Sequence, residues 1–253
     1  MRLIPVFGQR KGRRMEEKEL LLQPRLRLLA ELVQDGARLA DVGTDHGYLP
    51  VWLLLNGKIS GAIASDINEA PLSHARCTAE TYRVAEKISF RLCAGLDGIG
   101  RDEVDTVVIA GMGGETIQAI LTAAPWTLES DITLLLQPMT KAPELRRWLT
   151  ESGYCIVRER LVWDKSFLYP VLIVRPGRQS IREAERYCGV NNEEDPLYGE
   201  YLARQCARLQ RACRGMHSAR RGDNTERTAA LERLCEELER KREEWENGKR
   251  SGN

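Results

Sequence analysis

In the first part of the chain, short continuous apolar runs alternate with longer amphipathic stretches. This pattern predicts strands that are followed by helices. Five short apolar runs, each ending in polar or glycine residues, occupy residues 38–42, 61–65, 88–92, 105–110 and 132–136. Helix-like stretches separate or follow them at residues 48–56, 71–83, 114–123 and 143–151. Continuous apolar strands that alternate with helices are typical of a parallel sheet covered on both faces. The pattern therefore predicts an α/β fold.

The pattern differs at the two ends of this region. Before it, residues 17–34 predict a helix that begins or breaks near Pro24, and Asp35-Gly36 is a stop signal for that helix. After it, residues 154–163 and 168–174 follow one another with no helix between them. They predict a closing antiparallel pair of strands with Asp164-Lys165-Ser166 as the turn.

The C-terminal part is expected to be a helical hairpin. Beyond Pro176-Gly177 the chain is polar and poorly periodic, and helices are then predicted at about 197–218 and 226–246, separated by Gly222-Asp223-Asn224. Each helix has one apolar face. The two faces consist of Leu202, Cys206, Leu209, Cys213 and Met216, and of Leu231, Leu234, Cys235, Leu238 and Trp245.

Length and composition limit the classes of protein to be considered. The 253 residues, 42% of them hydrophobic, suffice for one large domain with an appendage, and the net charge of +1 indicates no particular partner. We predict a basic arm at residues 1–16, an α/β domain at 17–177 and a helical domain at 178–253. The arm contains Arg2, Arg10, Lys11, Arg13 and Arg14 and no acid up to residue 14.

No membrane segment, metal site or disulfide framework is expected. No apolar run approaches the roughly 20 residues that a membrane span needs, and the N-terminus lacks the features of a signal peptide. The seven cysteines are odd in number and scattered, and only three histidines are present. Reduced thiols in a cytoplasmic protein without a bound metal are the expectation.

The turn after the first apolar run has the chemistry of a cationic ligand site. The stretch LADVGTDHGYLP (39–50) contains Gly43 and Gly47, which permit a tight turn, but Asp41 and Asp45 accompany them. A dinucleotide fingerprint has the spacing G-x-G-x-x-G, and two carboxylates would repel its pyrophosphate. S-adenosylmethionine has no phosphate and carries a positive ammonium and a positive sulfonium, so it suits these acids.

Two further strand ends strengthen this interpretation. Asp66 closes the run AIASD, where a carboxylate can accept hydrogen bonds from ribose hydroxyls, although it could instead cap the following helix. The fourth run ends VVIAGMGGETI, with Gly111, Gly113 and Gly114 around Met112. These glycines could form only a tight turn after the strand, or let the backbone pass close to a reacting methyl group and its acceptor. Ligand crevices at strand ends favour the second interpretation.

Taken together, these motifs resemble the bacterial tRNA adenine-N1 methyltransferase family called TrmK. The resemblance extends over about residues 20–175 and is carried by LADVGTDHGYLP (39–50), GAIASDI (61–67), VVIAGMGGETI (107–117), LLLQP (134–138), LRRWL (145–149) and LYPVLIV (168–174). It implies a Rossmann-like class I methyltransferase fold, a doubly wound sheet of seven strands with the last one antiparallel, and a C-terminal helical domain. It also implies methylation of N1 of adenine 22 in tRNA with S-adenosylmethionine as the cofactor.

The resemblance assigns expected roles by position. The residues expected to bind the cofactor are Asp41, Gly43, Thr44, Asp45, His46, Gly47, Asp66, Ile67, Ala94, Gly111, Met112 and Gly113. The residues expected to face the substrate are Gly114, Gln137, Pro138 and Tyr169. Three positions depart from the family pattern: Ala94 stands where an acidic residue is usual, Met139 where asparagine is frequent, and Pro170 where an acid often follows the late tyrosine.

Asp45 is the expected catalytic residue. Adenine N1 needs no base to become nucleophilic, so positioning supplies much of the acceleration, and a carboxylate would stabilise the charge that develops on the ring. Asp45 could also cap the next helix. A contact of His46 with cofactor or acceptor and a structural role for it are both open.

RNA binding requires cations for phosphates and access to the Watson–Crick edge of the base. Arg204, Arg208, Arg211 and Arg214 share one helix face opposite the apolar stripe, so either RNA contact or simple solvation explains them. The adenine must be unpaired or flipped, and Tyr48, Trp163 and Tyr169 are candidate stacking partners. We expect tRNA as the partner of a monomer or weak dimer.

Two other functions remain open from the sequence. The first is methyl transfer to a small molecule or a protein, which predicts no salt-dependent RNA affinity. The second is RNA binding without catalysis, which the departures at Ala94 and Met139 keep open. A nicotinamide dehydrogenase is disfavoured by the acids of the first turn.

Overall fold

A computed structural model describes residues 19–129, 131–218 and 225–251. Its centre is a seven-stranded sheet with the order β3-β2-β1-β4-β5-β7-β6. The strands are β1 (Ala37–Val42), β2 (Ile59–Asp66), β3 (Ile88–Leu92), β4 (Thr106–Gly113), β5 (Thr133–Thr140), β6 (Tyr154–Asp164) and β7 (Phe167–Pro176).

Helices connect the strands and follow the sheet. They are α1 (Pro24–Leu32), α2 (Tyr48–Leu55), α3 (Glu69–Thr81), α4 (Gly114–Ala123), α5 (Ala142–Glu151), α6 (Glu183–Cys188), α7 (Tyr198–Ser218) and α8 (Thr225–Ser251). Short 3-10 turns at Ala85–Lys87, Arg101–Glu103 and Pro125–Leu128 precede strands β3, β4 and β5.

The topology confirms the predicted doubly wound, Rossmann-like fold. Strands β1 to β5 pair in parallel, whereas β7 pairs antiparallel with both β5 and β6. The chain winds from β1 outward through β2 to β3 and then returns to β4 on the other side of β1. The switch point therefore lies between β1 and β4, where ligands of open α/β sheets bind beyond the carboxyl ends of the strands.

Two apolar layers cover the two faces of the sheet, as its continuous hydrophobic strands require. One core joins the sheet to α1, α2 and α3 through residues such as Leu29 and Leu53. The other joins it to α4 and α5 through residues such as Ile117 and Leu149. Both faces of the central strands are consequently closed to solvent, and functional chemistry is left to the strand ends.

A buried ion pair ties the C-terminal helices to the sheet. Arg146 of α5 and Glu159 of β6 are both inaccessible to solvent, and the Arg146 guanidinium donates to Glu159 at 2.8 and 2.7 Å and to the Tyr201 hydroxyl of α7 at 3.1 Å. Burial disfavours the charge of Arg146, but the Glu159 carboxylate more than offsets it, and the pKa of Arg146 is raised. This network orients α7 on the sheet.

The apolar core of the hairpin lies between α6, α7 and α8. Leu202, Cys206 and Leu209 of α7 are buried with Leu234 and Leu238 of α8. These residues belong to the two predicted stripes, so the predicted helical hairpin is confirmed. Its connecting residues 222–224 and the basic arm at 1–16 lie outside the described residues.

The structure corrects three details of the sequence-based prediction. The segment from 178 to 200 contains a short helix, α6, and the fourth strand continues to Gly113 rather than ending before the glycines. The turn of the closing hairpin is Lys165-Ser166, because Asp164 pairs with Phe167. Of the helices in the described ranges, none combines the length and apolar character needed to cross a membrane.

Candidate active site

The predicted site residues of the first four strands meet at one edge of the sheet. Parallel strands β1, β2 and β4 end at Val42, Asp66 and Gly113, so the loops that follow them lie side by side. This edge includes the switch point between β1 and β4.

The turn after β1 is held in a left-handed conformation at three positions. Gly43, Asp45 and Gly47 have φ values of 73°, 51° and 67°. Glycine adopts this conformation readily, but a residue with a side chain does so at a cost, and such residues cluster at functional sites. The strain at Asp45 therefore favours a functional reason for its place in the turn.

Asp41 is a buried carboxylate without a cationic partner in the described structure. Its side chain accepts a hydrogen bond from the Thr44 hydroxyl at 2.6 Å. Burial raises the pKa of Asp41 to about 6, the Thr44 hydrogen bond opposes this rise, and the charge of Asp66 adds to it. A cationic ligand at the end of β1 would supply the counter-charge that the fold does not provide.

Asp45 and His46 lie at the surface of the same turn. The Asp45 side chain is 71% exposed, and its Oδ1 lies 3.8 Å from Nε2 of His46. The alternative of a helix cap is wrong, since α2 starts after Gly47 with no side-chain capping bond. The His46 ring stacks on Tyr48 at 5.2 Å and on His74 at 5.0 Å between centroids.

The end of β2 combines a carboxylate with exposed apolar side chains. Asp66 Oδ1 accepts the N–H of Asn68 at 2.9 Å. The residue before α3 is Asn68, and no side chain caps this helix, so the alternative that Asp66 is a helix cap is wrong. Ile67 and Leu92 are 67% and 57% exposed at neighbouring strand ends, and Ala94 after β3 is also exposed. Together they offer an apolar wall beside a hydrogen-bond acceptor.

The glycine turn of β4 packs directly on the turn of β1. The ladder between β4 and β5 is irregular on both sides of Met112, and Gly111 has a φ of 76°. A Cβ added at Gly43 would lie only 2.2 Å from the Met112 methyl carbon. Gly43 is therefore required for the close approach of the two turns, as a larger residue would displace Met112.

Gln137 and Pro138, expected to face the substrate, lie below the surface of the described structure. Both are buried, and Gln137 Oε1 accepts the N–H of Gly111 at 3.1 Å and a hydrogen bond from Arg25 Nη1 at 2.9 Å. The direct substrate contact expected of them stays a prediction. Gln137 holds the glycine turn. Gly114 is similarly buried, and a Cβ there would lie 2.8 Å from the Lys141 carbonyl oxygen.

Arg25 of α1 is a site residue that the sequence did not indicate. Its guanidinium pairs with Asp164 at the end of β6, lies 5.7 Å from the ring centroid of Tyr169 and has Nη1 3.6 Å from the Met139 sulfur. Its partners are more than 100 residues away in the chain, so no local motif could identify it. Tyr169 lies beside this guanidinium, and the substrate contact expected of it stays a prediction.

An aromatic rim and an arginine-bearing helix flank this end of the site. Phe167 is 62% exposed beside Tyr169, with ring centroids 6.0 Å apart. Trp163 lies at the end of β6 and is covered by the Arg204 guanidinium at 4.5 Å from the ring centroid. The four predicted arginines Arg204, Arg208, Arg211 and Arg214 are all exposed.

Helix α7 runs toward the site-bearing edge. Tyr201 contacts the middle of β6 through the Arg146 pair, and Arg204 contacts Trp163 at its end. The part of α7 after Arg204, 14 residues long to Ser218, extends about 21 Å farther along the helix axis. Three of the four arginines lie on this extension.

Comparisons with known proteins identify the family. The family described as "Methyltransferase domain" matches residues 22–172. The tRNA (adenine(22)-N(1))-methyltransferase of Bacillus subtilis is 37% identical over 187 residues, which cover 74% of this chain and 77% of that protein. The crystal structure of the B. subtilis m1A22 tRNA methyltransferase TrmK superposes with a TM-score of 0.75 at 30% identity, covering 87% and 97% of the two chains. The chain belongs to the TrmK family.

A second TrmK-like structure contains the expected cofactor. Streptococcus pneumoniae Sp1610, in complex with S-adenosyl-L-methionine, superposes with a TM-score of 0.74 at 30% identity and covers 85% of this chain and 97% of its own. Within residues 19–129, 131–218 and 225–251, no group of three or more His, Cys, Asp or Glu side chains is arranged to hold a metal ion.

Proposed function

We propose that this chain transfers a methyl group from S-adenosylmethionine to N1 of an adenine in tRNA, with adenine 22 as the target. The observation that carries the proposal is the buried Asp41 carboxylate, which lacks a cationic partner among the described residues at the switch point of the sheet. The proposal is supported by the name of the B. subtilis relative and by the cofactor bound to the S. pneumoniae protein.

The residues at the strand ends fit the cofactor. Asp41 and Asp45 supply negative charge for its ammonium and sulfonium, and the partly exposed Asp66 supplies acceptors for ribose hydroxyls. Ile67 and Leu92 present apolar surface to its adenine. When bound, S-adenosylmethionine supplies an electrophilic methyl group. The remaining cofactor residues proposed are Gly43, Thr44, His46, Gly47, Ala94, Gly111, Met112 and Gly113.

The acceptor requires orientation and charge stabilisation rather than a general base. The N1 lone pair is available at neutral pH, and methylation makes the base cationic. Asp45 is exposed at the rim of the cofactor turn and stabilises this developing charge. Tyr169 and Phe167 offer ring faces on which a flipped adenine stacks.

The experiment is methyl transfer from tritiated S-adenosylmethionine to tRNA that lacks modifications, followed by mapping of the labelled nucleoside. We expect one labelled product, N1-methyladenosine at position 22. Label at another nucleoside would correct the target, and label in a small molecule or protein with no salt-dependent tRNA affinity would reject RNA as the substrate. Tight tRNA binding without transfer would indicate a non-catalytic protein.

The role of Asp45 is tested by Asp45→Ala. We expect turnover to fall about 100-fold or more, the scale for removing one group that stabilises transition-state charge, with cofactor affinity changed far less. The matched control is Asp35→Ala, an exposed acid at the amino end of β1. Equal losses of turnover and cofactor affinity in Asp45→Ala would reject the catalytic role.

The arginine face of α7 is proposed to bind tRNA phosphates. Replacing Arg208 and Arg211 by Glu should weaken tRNA binding and reduce its salt dependence, while cofactor affinity stays unchanged. The control makes the same change of charge at Arg101 and Arg147, exposed residues away from α7. Equal tRNA affinity in the two double variants would remove α7 from the interface.

We expect the protein to be a monomer or weak dimer and to lie in the cytoplasm. Sedimentation with and without tRNA measures its oligomeric state.

A further inference from the structure

We propose that Arg25 is a positioning residue for methyl transfer, an inference that rests on the proposed function. Its guanidinium is linked through Gln137 to the glycine turn on the cofactor side, and it lies beside Tyr169 on the proposed acceptor side. One rigid cation therefore sets the spacing between the two halves of the site.

The Arg25 side chain is itself held in place. Arg25 follows Pro24 in the first turn of α1, and its Nε donates to Asp164, whose side chain is 7% exposed. Its own side chain is 20% exposed. A guanidinium is planar, and its donors form a fixed fork, so anchoring Nε also fixes the directions of the two terminal nitrogens.

Nη1, one of these two nitrogens, points to Gln137 at the glycine turn. Nη1 donates to Gln137 Oε1 at 2.9 Å, and the same oxygen accepts the Gly111 N–H at 3.1 Å. Gln137 is fully buried, and its amide nitrogen donates to the Pro138 carbonyl at 3.1 Å. Without Arg25 the buried oxygen would lose one of its two donors, and the amide that accepts the Gly111 N–H would be oriented by fewer hydrogen bonds.

The guanidinium also lies beside Tyr169 and Met139. The same guanidinium lies 5.7 Å from the Tyr169 ring centroid, and Nη1 is 3.6 Å from the Met139 sulfur. Met112, next to Gly111, reaches back to Gly43 in the cofactor turn. A continuous chain of contacts thus joins the two sides of the reaction, and an error of about 1 Å in such a spacing can reduce the rate 100-fold.

Kinetics of Arg25→Ala, Arg25→Lys and the control Arg27→Ala test this role. Arg27 lies two residues away on α1, with a 74% exposed side chain. In single-turnover methylation of tRNA we expect Arg25→Ala to be about 100-fold slower and Arg25→Lys to recover less than tenfold, because an ammonium lacks the fork. Cofactor Kd should change less than threefold, and ethylguanidinium, but not ethylammonium, should partly restore Arg25→Ala.

Amide hydrogen exchange provides a test that needs no turnover. We expect faster exchange at Gly111 and its neighbours in Arg25→Ala, unchanged exchange across β2, and wild-type behaviour in Arg27→Ala. If the wild-type protein fails to methylate tRNA, the proposed function fails, while this measurement still decides whether Arg25 holds the turn.

Several results would overturn the inference. One is that Arg25→Ala has the same methylation rate and amide exchange as Arg27→Ala. Another is that Arg25→Ala loses cofactor affinity by as large a factor as it loses rate. If Arg25→Ala does not fold, Arg25→Lys decides: a folded Lys variant with wild-type rate and exchange would also overturn it.

Discussion

Two of the buried carboxylates in the described structure, Glu159 and Asp41, differ in how their charge is balanced. Glu159 lies under the C-terminal helices, where its carboxylate accepts two hydrogen bonds from Arg146 and one from the Val190 N–H at 3.0 Å. Asp41 lies at the ligand edge, where its side chain accepts a hydrogen bond from the neutral Thr44 hydroxyl. The fold supplies a counter-charge for Glu159, and the described residues supply none for Asp41.

This difference separates structural charge from functional charge. A buried ion is unfavourable unless a partner compensates it, so a fold retains an uncompensated one only where something else stabilises it. The pKa of Asp41, raised by burial to about 6, expresses that deficit. The contrast predicts that removing charge destabilises the protein at Glu159 and Arg146 and weakens ligand binding at Asp41.

The largest effect is expected from Arg146→Met. It leaves the Glu159 carboxylate buried without its cation, which lowers the free energy of unfolding by about 3–5 kcal/mol. Denaturation in urea measures the change. Arg147→Ala is the control, since Arg147 forms an exposed pair with Glu151 and its loss should cost about 0.5 kcal/mol or less.

A double variant separates charge from packing at the same place. Arg146→Met with Glu159→Leu removes both ions, so it should be more stable than Arg146→Met alone. A double variant that is less stable than the single one would show that packing, not charge, dominates there.

A smaller effect is expected from Asp41→Asn, which should weaken ligand binding without destabilising the protein. Asparagine keeps an acceptor for Thr44 but removes the charge, so affinity for S-adenosylmethionine should fall roughly 10- to 100-fold, the scale of a charged hydrogen bond. The free protein should be as stable as wild type or more so, by at most on the order of 3 kcal/mol. Calorimetric titration and thermal unfolding measure both; reduced stability with unchanged affinity would contradict the comparison.

The smallest effect concerns pH. Because the folded pKa of Asp41 is raised, the penalty for its charge is absent below about pH 4, grows as pH rises and is complete above about 6. A cationic ligand needs the charged form, so affinity should be highest near pH 7 and fall as the pH drops through about 6, by no more than the loss expected for Asp41→Asn. Asp41→Asn should lack this slope. An identical slope in both proteins would assign it to another group.

The sheet could be predicted because each strand carries its own signal. Residues 88–92 form β3 without any change of bounds, since a short apolar run between turn residues has few other solutions. Helix α6 was missed because six residues, Glu183–Cys188, are too few for a helical period to appear. The burial of Ala184 and Cys188 against α7 stabilises it, and that contact is tertiary.

The site was predictable only where its chemistry is local. Asp41, Asp45 and the glycines of the first turn form one motif, so their charge and geometry could be interpreted together. Gln137 was expected near the substrate, but its side chain is buried and bonded to Arg25. The sequence could not indicate this hydrogen bond, because the two residues are 112 positions apart. Nothing near Arg25 distinguishes it from Arg27, and only packing of α1 against β6 brings it to the site.

The antiparallel closing hairpin determines where this fold can vary. Since β7 reverses direction, the Lys165-Ser166 turn projects from the same edge as the strand ends that form the site. Extra residues inserted in that turn would enlarge the surface offered to the nucleic acid without altering any strand register. A change in the length of this hairpin would thus alter one half of the site and leave the methyl-donor half as it is.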